Sequence, residues 1–401
     1  MNVILFDDWH RYHLLPLTFT RSAADMRIGI LTIREKWEKV LHCSASILTE
    51  EYLQAKYPLH FENDNLFISS SLLPNPAIIE AISGLSLGTA LYHQNELLAF
   101  RTTALQDSRD FYQTHLLQKG MLPLGKCEYD SDCQILIRPF HLFKYNESAI
   151  AYDFKLLTAG RKSQPIGNSN VVIGDSQRIF VEEGAVVTNA TLNAQDGYIY
   201  IGKDAEIMEG CRIRGSVALC EHATLKMDAK IYGATTIGPH SKVGGELSNV
   251  IIFGYSNKAH DGFLGNSVIG EWCNLGADTN SSNLKNNYSS VRLWNYATCT
   301  MEESDEQFCG VIMGDYSKCG ICTMFNTGTV VGVSTCLYGG GFHPKHIPSF
   351  SFGSPTDGYV PYQLDKVFTT AQIVAQRRHK IFDSIEQNIL KKVYDITIQT
   401  S

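Results

Sequence analysis

The segment from Lys258 to Asn283 holds the residues of this chain whose types are best suited to chemistry. His260 stands at its centre, because an imidazole changes charge near neutral pH and can accept a proton from a nucleophile. Asn274 and Asn283 follow it, and their amides can both donate and accept hydrogen bonds. A histidine taken alone is more often an ordinary surface residue, so the surrounding elements decide its role.

The remaining histidines and the cysteines give weaker signals. His222 and His240 occupy solvent-facing positions of a sequence repeat, and His343 and His346 lie in a proline-flanked segment. The chain has 11 cysteines, and Cys319-Gly-Ile-Cys322 matches C-x-x-C. No second pair and no histidine follows at zinc-ligand spacing, so we predict no metal site. Many cysteines fall at repeat positions, where we expect small, buried and reduced side chains.

Aliphatic residues recur every six positions between Ile201 and Val243. A helix would bring them back after three or four residues, and a plain strand after two. A period of six is typical of a parallel β-helix, in which each short strand contributes one inward aliphatic side chain and the coils stack. The members of this ladder are Ile201, Ile207, Ile213, Leu219, Leu225, Ile231, Ile237 and Val243.

The same period extends beyond this ladder with interruptions. It begins irregularly near Ile173 and is broken by a polar insertion at about Asp278–Cys309, which we expect to project from one edge of the β-helix. A proline-rich stretch, Pro344–Pro361, is expected to leave the β-helix, and Leu364–Tyr394 to form a terminal helix. After a two-residue slip, the predicted inward positions are Phe263, Ile269, Leu275, Met313, Cys319, Phe325, Val331 and Leu337.

Residues 1–165 have a different sequence pattern, in which short apolar runs alternate with helix-like segments. Val3–Phe6 and Asn65–Ile68 read as buried strands, and Pro76–Ile82 and Thr103–Leu117 as helices. This alternation predicts an α/β domain. We therefore predict an α/β domain at 1–165, a left-handed parallel β-helix at 166–342 and a C-terminal extension with a helix at 343–401.

The opening of the chain resembles sugar-1-phosphate nucleotidyltransferases. The resemblance rests on the strand Ile4-Leu5 leading to Leu15-Pro16-Leu17-Thr18. In that family a glycine-rich loop with an arginine separates these elements, and basic residues neutralise phosphate charge. Here Asp7-Asp8-Trp9-His10 occupy the loop without a glycine, and two carboxylates would repel a phosphate.

The resemblance implies that basic side chains contact the nucleotide or its phosphates. Arg11 would stand for the loop arginine, and Arg21 or Arg27 for the family's lysine. Alternatively, Arg21, Asp25 and Arg27 form a structural cluster of ion pairs. The family's metal-binding aspartate is replaced by Ser69-Ser70-Ser71, so Mg²⁺ is expected only if this domain is active.

The segment around His260 resembles the acetyltransferase half of the bifunctional GlmU family, which makes UDP-N-acetylglucosamine. The chain keeps the histidine, Leu264-Gly265, Ile269-Gly270, Asn274-Leu-Gly-Ala277 and Asn283 at matching spacing. The resemblance covers about residues 173–337 well and the first 165 residues weakly. It implies a transferase that takes acetyl from acetyl-CoA and assembles as a homotrimer.

The same resemblance assigns roles to individual residues. His260 would be the general base, and Ala277 would leave room for the pantetheine arm of the cofactor. Lys285 and Arg292, in the inserted loop, would supply phosphate contacts, because the family's own basic residues have no clear match here. The substrate-binding set would be Phe263, Asn274, Asn283, Lys285 and Arg292.

Composition narrows the function classes. A net charge of −7 argues against nucleic acid or anionic membranes as partners, and the opening residues lack a signal-peptide pattern, which favours the cytoplasm. The leading hypothesis is an acetyl-CoA-dependent N-acetyltransferase acting on an amino-sugar 1-phosphate in nucleotide-sugar biosynthesis. The alternatives are a sugar-1-phosphate nucleotidyltransferase whose β-helix trimerises or regulates it, and a scaffold that senses nucleotide sugars.

Overall fold

A computed structural model describes residues 2–103 and 108–398 of the 401-residue chain. The chain divides into two compact units. The first comprises Met1–Leu14, Thr20–Met26 and Leu31–Arg138. The second comprises Leu15–Phe19, Arg27–Ile30 and Pro139–Ser401.

The first 138 residues form the predicted α/β architecture. Its strands are β1 (Asn2–Phe6), β2 (Arg27–Ile28), β3 (Leu31–Thr32), β4 (Ala45–Leu48), β5 (Asn65–Ser69), β6 (Thr89–His93), β7 (Glu96–Thr102) and β8 (Gly125–Glu128). Its helices are α1 (His10–His13), α2 (Ile33–Leu41), α3 (Glu51–Gln54), α4 (Pro76–Ser83) and α5 (Ser108–Phe111), with a 3-10 turn at Ala23–Asp25 and a π-helical turn at Tyr112–Leu117. The predicted helix Thr103–Leu117 falls partly outside the described residues.

The sheet of the first unit has the order β4-β1-β5-β7-β6-β8. Strand β1 lies inside the sheet, between β4 and β5, because Val3-Ile4-Leu5-Phe6 is apolar on both faces and buried. It runs parallel to both neighbours, with Phe6 opposite Ser69. The carboxyl ends of β1 and β5 therefore meet at one edge of the sheet.

Residues 139–398 begin with α6 (His141–Thr158), end with α7 (Leu364–Gln376) and α8 (Ser384–Ile398), and have a 3-10 turn at Ser176–Arg178. The strands up to the insertion are β9 (Val171–Gly174), β10 (Ile179–Val181), β11 (Val186–Val187), β12 (Thr191–Ala194), β13 (Ile199–Ile201), β14 (Glu206–Ile207), β15 (Arg212–Arg214), β16 (Val217–Leu219), β17 (Thr224–Leu225), β18 (Lys230–Tyr232), β19 (Thr235–Ile237), β20 (Lys242–Val243), β21 (Glu246–Gly254), β22 (Asn257–Lys258), β23 (Phe263–Glu271) and β24 (Asn274–Leu275). The later strands are β25 (Asn280–Ser281), β26 (Arg292–Asn295), β27 (Thr300–Glu303), β28 (Ile312–Met313), β29 (Lys318–Cys319), β30 (Met324–Phe325), β31 (Val330–Val331), β32 (Cys336–Leu337), β33 (His346–Ile347), β34 (Ser351–Ser354) and β35 (Gly358–Pro361).

These strands form the predicted parallel β-helix, consistent with the left-handed type. Apart from the antiparallel pairs β26–β27 and β34–β35, the strands pair in parallel with their counterparts one coil later, as Ile201 does with Leu219 and Leu225 with Val243. All eight aliphatic residues of the sequence ladder lie in one buried hydrophobic cluster. Stacking of equivalent side chains in successive coils therefore supplies the core, as the six-residue period predicted.

One position of the predicted ladder, Phe263, is wrong, whereas Ile269 and the six later predicted positions lie in the buried cluster. Leu264 is the inward, fully buried residue of β23, whereas Phe263 is only partly buried. The reason is that Leu247 follows Val243 after only four residues and Ile252 follows Leu247 after five, so two corners are shortened. The inward position of β22 is then occupied by Lys258, opposite Val243.

The insertion and the C-terminal segment also have defined structure. The inserted residues carry an antiparallel hairpin, β26–β27, in which Arg292 pairs with Glu303. Strands β33 and β34 continue the parallel pairing onto β31 and β32, so the proline-rich stretch remains part of the β-helix, with Ile347 buried. The predicted terminal helix is two helices, α7 and α8. No helix among the described residues is long and apolar enough to span a membrane.

Candidate functional site

His260 lies in the turn between β22 and β23, and its side chain is exposed. It borders an open groove with a volume of about 670 Å³. The turn of the next coil also lines the groove and is stacked on the His260 turn, since the backbone N–H of Asp278 donates to the carbonyl of Asp261 at 3.0 Å. The residues that line the groove are Lys226, Met227, Gly244, Gly245, Ala259, His260, Asp261, Ala277 and Asp278.

Four of the residues that line the groove are small, namely Gly244, Gly245, Ala259 and Ala277. A side chain added at Gly244 would meet the Ala259 carbonyl at 2.6 Å, so successive corners stack closely there. The structure thus brings the predicted base His260 and the predicted cofactor contact Ala277 to one groove. Asp261 and Asp278 add two exposed carboxylates, which were not assigned from the sequence.

Lys258 is a further residue that was not predicted from the sequence. Its side chain points into the β-helix and is 1% exposed. The ammonium donates to the main-chain carbonyls of His260 and Asp261, the latter at 2.7 Å. Burial lowers the pKa of Lys258 to about 8, against the opposing effect of the nearby carboxylates of Asp261 and Asp278. The signal in the sequence was its position, six residues before Leu264.

Phe263 and Asn283 lie together, on another part of the coil. A side chain added at Gly265 would meet both of them, at 2.7 Å from the Phe263 ring and 2.4 Å from the Asn283 amide nitrogen. The Asn283 amide donates to the side chain of Asn266 at 2.9 Å. Both predicted substrate contacts are therefore partly buried neighbours of one glycine.

Asn274 lies on the outward face of the ten-stranded sheet, where it is in register with Asn257 and Lys318. Asn257 in turn accepts a hydrogen bond from Arg378, which follows α7, at 3.0 Å. This row of polar residues is separate from the residues that line the His260 groove. A role for Asn274 in substrate binding thus stays a prediction.

Lys285 and Arg292, in the inserted segment, approach a third cation. Burial lowers the pKa of Lys345, and the charges of Lys285 and Arg292 lower it further. The Lys345 ammonium lies 3.5 Å from the Thr327 hydroxyl. Next to Thr327, Gly328 packs so closely that an added β-carbon would lie 2.5 Å from the Arg292 carbonyl oxygen. The three cations are therefore close enough to act on one another, and the Glu303 carboxylate lies among them, 3.5 Å from Arg292 Nε.

In the first unit, Asp7 and Asp8 are buried and hold the loop that follows β1. Asp7 accepts hydrogen bonds from the Ser22 hydroxyl at 2.8 Å and the Thr49 hydroxyl at 2.5 Å. Asp8 accepts from the Ser69 hydroxyl at 2.9 Å, and its other oxygen lies 2.7 Å from His10 Nδ1. Burial raises the pKa of Asp7.

The residues at this edge do not fit a Mg²⁺ site. The carboxylate oxygens of Asp7 and Asp8 are engaged by donors of the protein, and Ser69 stands where the resembled family has its metal-binding aspartate. Among the described residues, no group of three His, Cys, Asp or Glu side chains converges in a way that could hold a metal ion.

The three predicted phosphate-binding arginines all have protein partners. Arg11 is buried, with Glu50 at 3.1 Å and Asp7 at 3.6 Å. Arg21 is buried, and its charge acts on Tyr57. Arg27 donates to the Phe253 carbonyl at 3.3 Å. Their roles toward a nucleotide stay predictions.

A cavity of about 330 Å³ opens beside the same loop of the first unit. Trp9 forms part of its wall, and the Lys119 ammonium lies 4.3 Å from the centre of the Trp9 ring. Lys126 and Tyr92 also line it. An aromatic surface with two cations can receive a ring-bearing anion.

One comparison with known proteins matches the N-terminal part of the chain to a protein family. Residues 3–162 match the family model of sugar nucleotidyl transferases. No curated protein matches the chain. Among solved structures, 62 chains match; one of them, UDP-N-acetylglucosamine acyltransferase from Arabidopsis, is 13% identical over 59% of this chain and 93% of its own, with a TM-score of 0.25. At that score the likeness carries no weight for the site.

A transferase is supported by the family match. A sugar nucleotidyl transferase domain followed by a β-helix fits the predicted resemblance to the bifunctional GlmU family. The family match extends to residue 162, whereas the first compact unit ends at Arg138. The predicted domain boundary at 165 therefore stays a prediction.

Proposed function

We propose that the β-helix transfers an acetyl group from acetyl-CoA to the amine of an amino-sugar 1-phosphate, within nucleotide-sugar biosynthesis. The observation that carries the proposal is the position of His260, exposed on a turn and bordering a groove with Ala277 and Gly244. An exposed imidazole beside an open groove can reach both a solvent-borne amine and an extended thioester.

Acetyl transfer requires that one proton move from the amine to His260 and then to the sulfur. The amine nitrogen attacks the thioester carbonyl, the C–N bond forms, and the C–S bond breaks. His260 takes the proton that the amine loses and returns it to the departing sulfur. The small residues Gly244, Gly245 and Ala277 leave space along the groove for the pantetheine arm of acetyl-CoA. The carboxylates of Asp261 and Asp278 attract the ammonium form of the amino sugar to the groove, and this ammonium loses one proton to solvent before the neutral amine attacks.

The phosphate of the substrate would bind elsewhere, at Lys285, Arg292 and Lys345. The proximity of Lys285 and Arg292 to Lys345 supports this assignment, because a phosphate monoester carries nearly two negative charges. We further propose a homotrimer, because a β-helix has flat sides that a neighbouring copy can cover. The 11 free cysteines fit reducing conditions such as those of the cytoplasm.

The second candidate is sugar-1-phosphate nucleotidyl transfer by the first unit. The family match over residues 3–162 favours it, and the cavity beside Trp9 and Lys119 offers a place for a nucleotide. The buried and engaged carboxylates Asp7 and Asp8 weigh against tight binding of a triphosphate.

One pair of assays separates the two candidates. The purified chain is incubated with acetyl-CoA and glucosamine 1-phosphate while free thiol is followed. A second sample receives UTP or dTTP with a sugar 1-phosphate and Mg²⁺ while pyrophosphate is followed. Release of thiol that depends on the amino sugar supports the first proposal. Release of pyrophosphate without any acetyl transfer to a panel of amino sugars would overturn it in favour of the second.

A further inference from the structure

We propose that Lys258 is a positioning residue for the His260 turn, and that its buried ammonium is kept inside the β-helix for this purpose. The inference rests on the proposed acetyl transfer at His260. It adds a residue that touches no part of the groove, since Lys258 lies on the inner side of the wall that His260 borders.

Packing alone would favour an aliphatic residue at the position of Lys258. In the same column of the ladder the neighbouring coils place Val243 and Leu275, both buried in the hydrophobic cluster. Putting an ammonium there carries a desolvation cost that an aliphatic side chain avoids. Stability therefore gives no reason for a lysine at this position.

The hydrogen bonds of Lys258 give that reason. Its ammonium bonds the carbonyls of two consecutive residues, His260 and Asp261. These bonds fix the two peptide planes that directly follow the Cα of His260. The same stretch is tied to the next coil, because Asp278 donates its backbone N–H to Asp261. The turn is thus held from the inside by Lys258 and from the adjacent coil by Asp278.

Such a restraint matters because the base must meet the amine at hydrogen-bond distance. A displacement of about 1 Å of a catalytic group can cost about 10²-fold in rate. The turn contains Gly262, whose φ of 114° belongs to a backbone region that other residues rarely adopt. A turn built on such a glycine has other backbone conformations available once its internal bonds are removed.

The test uses Lys258→Met and Lys258→Gln in the full-length chain. Methionine keeps the apolar stem and removes the donors, whereas glutamine keeps two N–H donors without the charge. We expect kcat for acetyl transfer to fall about 10–100-fold in Lys258→Met and less in Lys258→Gln, with the KM for acetyl-CoA unchanged. The melting temperature of Lys258→Met should stay equal or rise, because a buried charge is removed. Leu225→Met, in the same column but away from the turn, is the matched control.

A second measurement does not depend on turnover. The imidazole NMR signals of His260, assigned by their loss in His260→Ala, should shift or broaden in Lys258→Met and stay in place in Leu225→Met. If both the His260 signals and kcat are unchanged in Lys258→Met, the inference is wrong. If the native chain acetylates no amine, the proposed function fails, and the NMR comparison still decides whether Lys258 positions the turn.

Discussion

Replacing His10 with glutamine should change how the stability of the first unit depends on pH. His10 is 1% exposed and lies between two carboxylates, with Asp8 at 2.7 Å and Glu96 at 3.3 Å. Burial alone would lower the pKa of His10, but the charges and hydrogen bonds of Asp8 and Glu96 raise it to about 9. The folded unit therefore contains a buried imidazolium at neutral pH.

The size of this pH effect on the free energy of unfolding follows from the difference between the pKa of His10 in the folded chain and in the unfolded chain. A rise from 6.5 to about 9 is about 2.5 pKa units, or about 3 kcal/mol at 1.36 kcal/mol per unit. This is an upper bound, because Glu96 is 20% exposed and water screens its charge. Since the pKa is raised on folding, the stabilisation is fully present below pH 6.5. It is lost as the pH rises through about 9.

Pulse proteolysis in urea at pH 6 and pH 10 measures this difference, with peptides from residues 2–69 analysed by mass spectrometry. We expect the free energy of unfolding of the native chain to drop between these pH values by up to about 3 kcal/mol more than that of His10→Gln. His60→Gln is the control, because the His60 side chain is 72% exposed. An equal pH dependence in native protein and His10→Gln would refute the buried imidazolium.

Three further outcomes are expected. Light scattering should give a mass three times the 44.7 kDa of the chain; a stable monomer at micromolar concentration would contradict the homotrimer. Calorimetry should detect weak binding of UTP or dTTP or none, because Asp7 and Asp8 replace the phosphate-binding glycines; micromolar affinity would show this reasoning to be wrong. Arg292→Met should raise the KM for an amino-sugar phosphate about 10-fold and leave the KM for acetyl-CoA unchanged. Lys391→Met, on the exposed face of α8, is the control and should change neither constant. An unchanged KM for the amino-sugar phosphate in Arg292→Met would show that Arg292 does not bind the phosphate.

The fold was largely predictable because the β-helix repeats one local rule. An inward side chain every six residues can be recognised in the sequence without knowledge of distant contacts. The residues from Ile201 to Val243 show this period without interruption. The prediction failed where the corners shorten after Val243, because each lost residue shifts the next inward position, although Ile269 and the later predicted positions are inward. Phe263 was then taken for the inward residue instead of Leu264.

The site was less predictable, because it depends on which turns become neighbours. His260 and Ala277 are 17 residues apart, and only the stacking of the coils places both at one groove. The carboxylates of that groove were not predicted, since two acidic residues in separate turns carry no signal until the coils are stacked. Lys258 was missed because a charged residue is rarely expected inside a β-helix. The burial of Arg11 was likewise invisible, because Glu50 lies 39 positions away in the sequence.

His260 is the proposed general base of acetyl transfer, and the rate of thiol release by His260→Ala measures its contribution. His222→Ala is the matched control, because His222 is another exposed histidine of the β-helix. With acetyl-CoA and the best amino-sugar acceptor, kcat should fall about 10²–10⁴-fold in His260→Ala, which is about 3–5 kcal/mol of barrier. His222→Ala should keep the native rate, and both variants should keep the native melting temperature. A native rate of acetyl transfer by His260→Ala would show that His260 is not the general base.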